Sequence, residues 1–189
     1  MMRKSRKESM VLAAIILFSQ KGVAASSIRE ISSQAGVTEG AIYRHFKSKQ
    51  ELCWYAYERI VTEMTQEKAH LLHSEKPFDQ KLHEWVRLSY AYYDRSPEAF
   101  TYVLLLPEEM VELKEGVTSH QGNLFMQMFR AARALGTVRD IPATVALSHH
   151  TGLMLNIPRL INDKRLPGPA LSYVDEVAHA IGLTLKQAD

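Results

Sequence analysis

The fold is decided by residues 38–52, which read TEGAIYRHFKSKQEL. Thr38 can cap the start of a helix, and Ile42 and Phe46 then place apolar side chains on one face of it. Because successive helical residues turn by about 100°, the opposite face is the basic one. That outward face carries Gly40, Arg44 and Lys47, with Tyr43 at its flank. The segment therefore predicts a short helix that packs on a core and presents basic side chains to a partner.

A second short helix precedes this segment. Residues 27–30 read SIRE, which is a capping-box sequence, and the apolar pattern of this helix ends before Gly36. Two short helices joined by a tight turn are typical of a helix-turn-helix, whose second helix enters the DNA major groove. Gly40 would let the backbone approach the duplex, and Arg44 can offer a forked pair of donors to guanine. The sequence therefore predicts contact with double-stranded DNA.

Helix starts predict the phosphate contacts. Residues 48–51 read SKQE, a further capping box that opens a fourth helix. Unpaired backbone amides at Ser27 and at the start of this fourth helix are suited to phosphate oxygens, and Lys49 adds charge there. Thr38 and Glu39, at the start of the third helix, are expected near base edges or phosphates.

Composition limits the kind of protein. The chain has 189 residues with 46% hydrophobic and 23% charged side chains, which is ordinary for a soluble globular protein. Residues 1–49 hold nine Lys and Arg against three Asp and Glu, whereas residues 50–189 hold fourteen against eighteen. A basic amino-terminal quarter indicates that this quarter meets a polyanion. The sequence contains no nucleotide loop, zinc-protease motif or nucleophile elbow, so no enzymatic activity, cofactor or metal is expected.

The amino terminus has a rival interpretation as a secretory signal peptide. A basic start followed by the apolar run MVLAAIILF fits such a leader, but Glu8 and Lys21 interrupt its charge pattern. Val11, Ile15 and Phe18 also recur at helical spacing, which favours a helix of the folded protein. No later stretch approaches the roughly 20 apolar residues needed to cross a membrane. A cytoplasmic protein without membrane association is therefore expected.

Helical periodicity continues along the rest of the chain. Helices are predicted over about residues 4–21, from 52 past 64, over 78–97, over 100–106 with a break at Pro107, over 109–135 with a break near Gly116, and over 143–162 and 170–186. Period-two alternation, the pattern of a strand, is not found. The predicted fold class is all-α, with a helix-turn-helix domain at residues 1–50 and a larger helical body at residues 51–189.

A family resemblance rests on residues 13–52, AAIILFSQKGVAASSIREISSQAGVTEGAIYRHFKSKQEL. This stretch resembles the DNA-binding region of the TetR-type repressor family, and the resemblance covers about residues 10–53. It implies a three-helix headpiece on a helical body that dimerises and binds a ligand. It also implies DNA contacts at Ser26, Ser27, Arg29, Thr38, Glu39, Gly40, Tyr43, Arg44, His45 and Lys49. The family usually has an aromatic residue at the position of Val23, so looser headpiece packing is expected there.

The resemblance implies a homodimeric, ligand-responsive repressor. Two headpieces would read a near-palindromic operator whose half-sites lie about one helical turn, or a multiple of it, apart. A small-molecule effector in the body would shift the fourth helix and change the headpiece spacing. The alternative is a DNA-bound structural or assembly factor of the same fold whose body binds a protein. A preformed cavity would favour the repressor, and an exposed apolar patch would favour the alternative.

Adaptable and aromatic residues of the body predict where the effector binds. Methionine suits a cavity of variable shape, and an apolar interior favours a hydrophobic or amphipathic ligand. Trp85, Tyr90 or Tyr92 could supply a polar handle. The candidate ligand-binding residues, on helices that are expected to converge, are Phe100, Leu104, Met126, Phe129 and Met154.

The histidines and the cysteine have ordinary interpretations. His70 and His73 have a metal-compatible spacing, but exposed histidines on a helix are commoner than a metal site. His149 and His150 diverge by about 100° and suit a subunit interface better than chelation. Cys53 could sense redox state, although a small buried thiol is the preferred interpretation.

The two carboxy-terminal helices predict the dimer interface. The last helix has an apolar stripe at Val174, Ala178, Ile181 and Leu185. Little of the chain follows this stripe, so a second subunit is expected to cover it. The preceding helix offers small and apolar residues at Ala146, Gly152, Leu153 and Ile157. Together they predict a four-helix bundle between two subunits, with an interface on the order of 1,500 Å² or more.

Overall fold

The computed structural model describes residues 5–104 and 120–187, with the side chain of Leu104 excepted. Within these ranges the chain is all-α, as predicted, and forms ten α-helices and one 3-10 helix. The α-helices are α1 (Arg6–Lys21), α2 (Ile28–Ala35), α3 (Glu39–Tyr43), α4 (Lys49–Lys68), α5 (His70–His73), α6 (Phe78–Arg95), α7 (Pro97–Leu104), α8 (His120–Ala134), α9 (Ala143–Asn162) and α10 (Val174–Leu185). The 3-10 helix (Ala170–Tyr173) directly precedes α10. The predicted breaks at Pro107 and Gly116 lie outside the described residues.

The chain divides into two compact units. The amino-terminal unit contains residues 5–61 and 98–104, and the carboxy-terminal unit contains residues 62–97 and 120–187. The division falls inside α4, which is continuous from Lys49 to Lys68 and therefore contributes residues to both units. Over the described ranges, no helix combines the length and the apolar character that a membrane crossing requires.

The caps of α2 and α3 confirm the signals in the sequence. The Ser27 side chain accepts a hydrogen bond from the Glu30 N–H, and the Glu30 carboxylate accepts one from the Ser27 N–H. Gly36 ends α2 in the left-handed conformation, with φ at 66°. The Thr38 side chain accepts a hydrogen bond from the Ala41 N–H and so caps α3. These contacts fix the turn of the helix-turn-helix.

One apolar core holds the amino-terminal unit together. Ile42 and Phe46 are only 0% and 2% exposed, so the predicted inner face of α3 is buried. Val23 is buried as well, and the rings of Phe18 and Tyr102 lie 5.5 Å apart, centroid to centroid. Burial of the inner face leaves the basic face of α3 to solvent.

The carboxy-terminal unit has an aromatic core built by α6, α8 and α9. Trp85 on α6 lies edge-on to Phe125 on α8, with 5.7 Å between the ring centroids. Tyr90 on the same helix is fully buried, and its hydroxyl donates to the main-chain carbonyl of Met154 on α9 at 2.9 Å. Helix α10 packs against both α6 and α9. Because one face of α6 makes these buried contacts, its sequence has the pattern of a long amphipathic helix.

The sequence analysis expected a second subunit to cover the apolar stripe of α10, and this expectation was wrong. Val174, Ala178, Ile181 and Leu185 are between 0% and 7% exposed within the single chain. Helices α6 and α9 pack on the stripe and take the place that the sequence interpretation gave to a second subunit. Ala146 of α9 is buried in the same way, whereas Gly152 and Leu153 are exposed. Only the outer faces of α9 and α10 are therefore open to another protein.

Gly36 provides a direct test of the turn. An added Cβ would meet open space at both Gly36 and Gly40, but only Gly36 has a left-handed φ. We expect Gly36→Ala to lower the free energy of unfolding of the amino-terminal unit by about 1 kcal/mol because Ala resists this conformation. Gly40→Ala, the control inside a helix, should be neutral or stabilising by up to about 1 kcal/mol. Urea unfolding measures both, and equal effects would contradict this account of the turn.

Candidate functional site

The outer face of α3 is the candidate nucleic-acid interface. Ile42 and Phe46 anchor the segment from below, and Tyr43 stands 53% exposed at the flank. The other predicted contact residues of this segment are all exposed: Thr38, Glu39, Gly40, Arg44, His45 and Lys47. The structure therefore gathers the predicted groove-reading residues on one solvent-facing surface, which we call the α3 face.

Gly40 is not required by packing within the chain. An added Cβ at this position would meet no atom within 4 Å, and the glycine does not adopt a positive φ. Glycine is an unfavourable residue inside a helix, so its presence calls for another reason. Close approach of the α3 backbone to a partner would be such a reason.

Lys49 and Ser26 are engaged with the chain itself. The Lys49 ammonium donates to the carbonyls of Val23 and Ser26, both at 2.8 Å, and to the carbonyl of Ala24 at 3.3 Å. Ser26 is 3% exposed, and its hydroxyl donates to the Gly22 carbonyl at 2.7 Å. Both side chains therefore hold the α1–α2 turn, which we call the Lys49 clamp. Arg29, by contrast, faces solvent at the start of α2. The Ser27 N–H, which the sequence analysis expected to be unpaired, donates to the Glu30 carboxylate at 2.9 Å.

Cys53 is a buried thiol, the preferred interpretation of its sequence context. Its Sγ lies 2.7 Å from the Tyr102 hydroxyl, which also donates to the Cys53 carbonyl at 2.8 Å. Burial raises the pKa of the Cys53 thiol above its ordinary value. A neutral, enclosed thiol is a poor nucleophile, so this geometry does not favour redox sensing.

The predicted ligand-binding residues are mostly core residues. Phe100 is 2% exposed and belongs to the amino-terminal unit, whereas Met126, Phe129 and Met154 are buried in the carboxy-terminal unit. The side chain of Leu104 lies outside the described part of the chain.

An open groove of about 820 Å³ lies in the carboxy-terminal unit. Its wall includes Phe78 and Leu82 of α6, Met128 of α8, and Ala178 and Gly182 of α10. None of the four predicted ligand-binding residues whose side chains are described lines it. On α8 the prediction chose Met126 and Phe129, which turn into the core, and missed Met128.

A buried polar cluster next to the aromatic core was also missed. Lys68 at the end of α4 is 0% exposed, and its ammonium lies 5.6 Å from the centroid of the Trp85 ring. His150 is 1% exposed, and its ring stacks on Phe125 with 4.2 Å between centroids. His150 therefore lies inside its own chain, which corrects its expected place at a subunit interface. We call Lys68, Trp85 and His150 the buried polar cluster.

A signal for this cluster was present in the sequence. The apolar stripe of α4 runs through Leu52, Ala56, Ile60 and Met64 in steps of four residues. One further step of four reaches Lys68, which places a cation on a face that is otherwise apolar. Elsewhere in the described residues, no group of three or more His, Cys, Asp or Glu is arranged to hold a metal ion.

The Lys49 clamp should stabilise the amino-terminal unit. Lys49→Met removes three charge-assisted hydrogen bonds, and we expect the free energy of unfolding to fall by about 1 to 3 kcal/mol. Lys47→Met, which changes an exposed lysine of the same segment, should leave stability nearly unchanged. Urea unfolding followed by circular dichroism measures both variants. Equal stability of Lys49→Met and the wild type would contradict the clamp.

Lys68 should make stability depend on pH. Burial lowers the pKa of Lys68 from 10.5 to about 8, so the unfolded chain binds more protons than the folded chain between these values. Stability conferred by this group therefore rises as the pH rises from about 8 to 10.5. We expect Lys68→Met to gain about 3 kcal/mol at pH 7 relative to the wild type, with the gain shrinking across that window.

The difference between the two proteins isolates Lys68. Glu67, Arg95 and His150, whose charges act on Lys68 or are acted on by it, remain in both proteins. Urea titrations at several pH values between 7 and 10.5 supply the unfolding free energies. If the unfolding free energies of the wild type and the variant changed in parallel with pH over this range, burial would not lower the pKa of Lys68.

Known proteins share the amino-terminal segment with this chain. Residues 11–53 match the family described as bacterial regulatory proteins, tetR family. The chain is 47% identical over 56 residues to YerO, an HTH-type transcriptional regulator of Bacillus subtilis, and 36% identical over 77 residues to Rv3405c, an HTH-type transcriptional repressor of Mycobacterium tuberculosis. These matches cover 30% and 41% of this chain, and they span only 19% and 39% of the relatives' lengths.

The likeness of fold extends over nearly the whole chain. The crystal structure of the transcriptional regulator FadR from Bacillus subtilis, in complex with stearoyl-CoA, matches with a TM-score of 0.79 over 92% of this chain and 96% of that one. The identity is 13%, so this match concerns the fold alone. The segment at residues 11–53, with its helix-turn-helix formed at residues 28–43, therefore has the sequence pattern of bacterial regulatory proteins of the tetR family.

Proposed function

We propose that this protein is a homodimeric repressor that binds a near-palindromic operator and is released from it by a small, largely apolar ligand. The α3 face carries the proposal, because exposed polar side chains there stand above the buried Ile42 and Phe46. A short helix held in this way can enter a major groove with its first residues. Rv3405c is described as a repressor, which supports this direction of control. We take the location to be cytoplasmic, where the DNA is.

The exposed residues divide into base-reading and phosphate-binding groups. Arg44 is the candidate for a bidentate contact to guanine, with Thr38, Glu39, Tyr43 and His45 beside it. Phosphate contacts fall to Ser27, Arg29 and Lys47. Lys49 and Ser26 act indirectly, because their side chains hold the turn that orients α2.

Exposed apolar residues support dimerisation through the two carboxy-terminal helices. On the outer face of α9, Val145 and Leu153 are 40% and 37% exposed, and on α10 Leu183, which also borders the groove, is 63% exposed. Gly152 leaves open space beside them, so a helix from a second subunit can approach closely. A four-helix bundle of two subunits would cover these side chains and set the spacing of two headpieces.

The groove supports an apolar effector. Its wall includes apolar residues of α6, α8 and α10 beside charged residues such as Lys81 and Asp175, and a related fold holds stearoyl-CoA in the Bacillus subtilis FadR. A ligand releases DNA only if it prefers the DNA-incompetent state, and a tenfold change in operator affinity needs about 1.4 kcal/mol of such preference. Helix α4 is the candidate link, because it contributes residues to both units.

A protein-binding assembly factor of the same fold is the alternative. Leu135, at the rim of the groove, is 80% exposed, which is the kind of apolar surface that a protein partner would cover. Selection of binding sites from genomic fragments separates the two functions. A repressor should enrich inverted repeats close to promoters, and the neighbouring genes would indicate the effector. Enrichment of sites without regard to promoters would favour the assembly factor.

Arg44 should determine sequence preference. We expect Arg44→Ala to lose discrimination at one or two positions of each half-site, at about 1 to 3 kcal/mol per position. Lys47→Ala should weaken all duplexes alike and flatten the salt dependence, and Arg165→Ala, in the carboxy-terminal unit, should change neither. Fluorescence anisotropy on selected and random duplexes measures these effects. Wild-type preference in Arg44→Ala would show that the α3 face has been assigned wrongly.

Leu153 should lie in the dimer interface. Leu153→Glu would bury a charge between two subunits, so the dimer should dissociate and operator affinity should fall steeply. Leu171→Glu changes a similarly exposed leucine, at 41%, that lies outside α9 and α10, and it should remain dimeric. Analytical ultracentrifugation gives the oligomeric state of each variant. A dimeric Leu153→Glu protein with normal operator binding would rule out this interface.

A further inference from the structure

Lys68 is a buried cation whose described contacts leave its charge uncompensated. Its ammonium donates to the Met64 carbonyl of its own helix at 3.1 Å and faces the Trp85 ring. The neighbouring carboxylate of Glu67 is engaged by Arg95 at 2.7 Å. Among the described residues, no carboxylate lies within 4.0 Å of the Lys68 ammonium. A buried charge without a counter-ion is costly, so an anion in this place would bind favourably.

Two further polar atoms of the buried polar cluster point to the same kind of ligand. Trp85 Nε1 and His150 Nδ1 are buried, and neither has a hydrogen-bond partner among the described residues. The Trp85 and His150 rings lie 5.6 Å apart and nearly perpendicular, at 80°. Unpaired buried polar atoms are rare in folded proteins, and two next to one buried cation indicate a site for an acceptor-rich group.

We propose that the buried polar cluster binds the carboxylate head group of the effector, an amphipathic monocarboxylate. This assignment rests on the proposed function, because it names the chemistry of the ligand that releases the operator. A carboxylate accepts several hydrogen bonds, so the Lys68 ammonium, the Trp85 indole N–H and an N–H at His150 Nδ1 can all donate to it. The carboxylate would be the counter-ion that the buried Lys68 ammonium lacks.

The buried polar cluster contains a single positive charge, which favours a ligand with one negative charge over a phosphate. Burial, with the charge of Lys68, lowers the pKa of His150 to about 3, so this imidazole is neutral at physiological pH. Lys68 is then the single cation of the cluster. A carboxylate brings one negative charge, whereas a phosphate monoester brings close to two and would leave the second unpaired in a buried place.

Aromatic side chains provide the apolar surface for the ligand tail. Phe125, which stacks on His150, lies 6.4 Å from the Phe78 ring, and Phe78 lies 6.0 Å from Phe129. Phe78 is also part of the groove wall. The aromatic run from His150 to Phe78 therefore leads from the cluster to the groove wall, and in the proposal the hydrocarbon tail lies against it with its end toward the groove.

Octanoate and 1-octanol test the head-group preference, because they share a chain length and differ in charge. We expect isothermal titration calorimetry on the full chain to give at least about tenfold tighter binding of octanoate by the wild type. The preference should fall below about twofold in Lys68→Met and decrease in Trp85→Phe, which keeps a ring but removes the indole N–H. Lys164→Met, the control, changes an exposed lysine outside the cluster and the groove and should keep the preference.

Three results would overturn the assignment: no binding of octanoate, equal binding of octanoate and octanol, or an unchanged preference in both Lys68→Met and Trp85→Phe. Trp85→Phe decides the matter if Lys68→Met does not fold. Operator affinity, measured separately with and without octanoate, tests the proposed function. Octanoate binding without operator release would contradict ligand-responsive repression and leave the carboxylate site intact. Release of the operator by octanol, in a protein that does not bind octanoate, would support ligand-responsive repression and contradict the carboxylate site.

Discussion

Burial of Ile42 and Phe46 is the constraint on which the proposed DNA interface depends. Helix α3 has only five residues, far too few to be stable by its own hydrogen bonds, so the core must hold it. With these two side chains inside, Arg44 and Gly40 have no other orientation than toward solvent. The Lys49 clamp and the Ser27 capping box then fix the preceding turn. Specific contacts with base edges require this rigidity, because ordering a mobile helix on binding would cost entropy and weaken the complex.

Helix α4 is the element through which the proposed effector would act on DNA binding. Its first residue, Lys49, holds the α1–α2 turn, and its last residue, Lys68, lies in the buried polar cluster. In the proposal, a carboxylate that pairs with Lys68 would remove the cost of its buried charge and so favour one placement of the end of this helix. Repression and release would then be two states of one continuous element, biased by opposite ligands.

Sequence patterns predicted local structure better than they predicted partners. The Ser27 capping box, the Gly36 stop and the inner face of α3 were all predictable, since each depends on residues that are close in sequence. Periodicity also identified the buried stripe of α10 but could not say what covers it, and α6 and α9 take the role that a second subunit was expected to have. Lys49 likewise looked free for phosphate, because nothing local shows that its partners are carbonyls more than twenty residues earlier. Long-range packing decides such cases.

Dimethyl sulfate protection on a selected operator tests the central claim most directly, that α3 of each subunit reads a major groove. The reagent methylates guanine N7, which lies in the major groove. The account predicts protection of guanines in two symmetry-related half-sites, about one helical turn or a multiple of it apart on one side of the duplex. It further predicts that one protected guanine in each half-site becomes reactive with Arg44→Ala. Protection in a single half-site, or unprotected guanines under full occupancy of a guanine-containing operator, would contradict it.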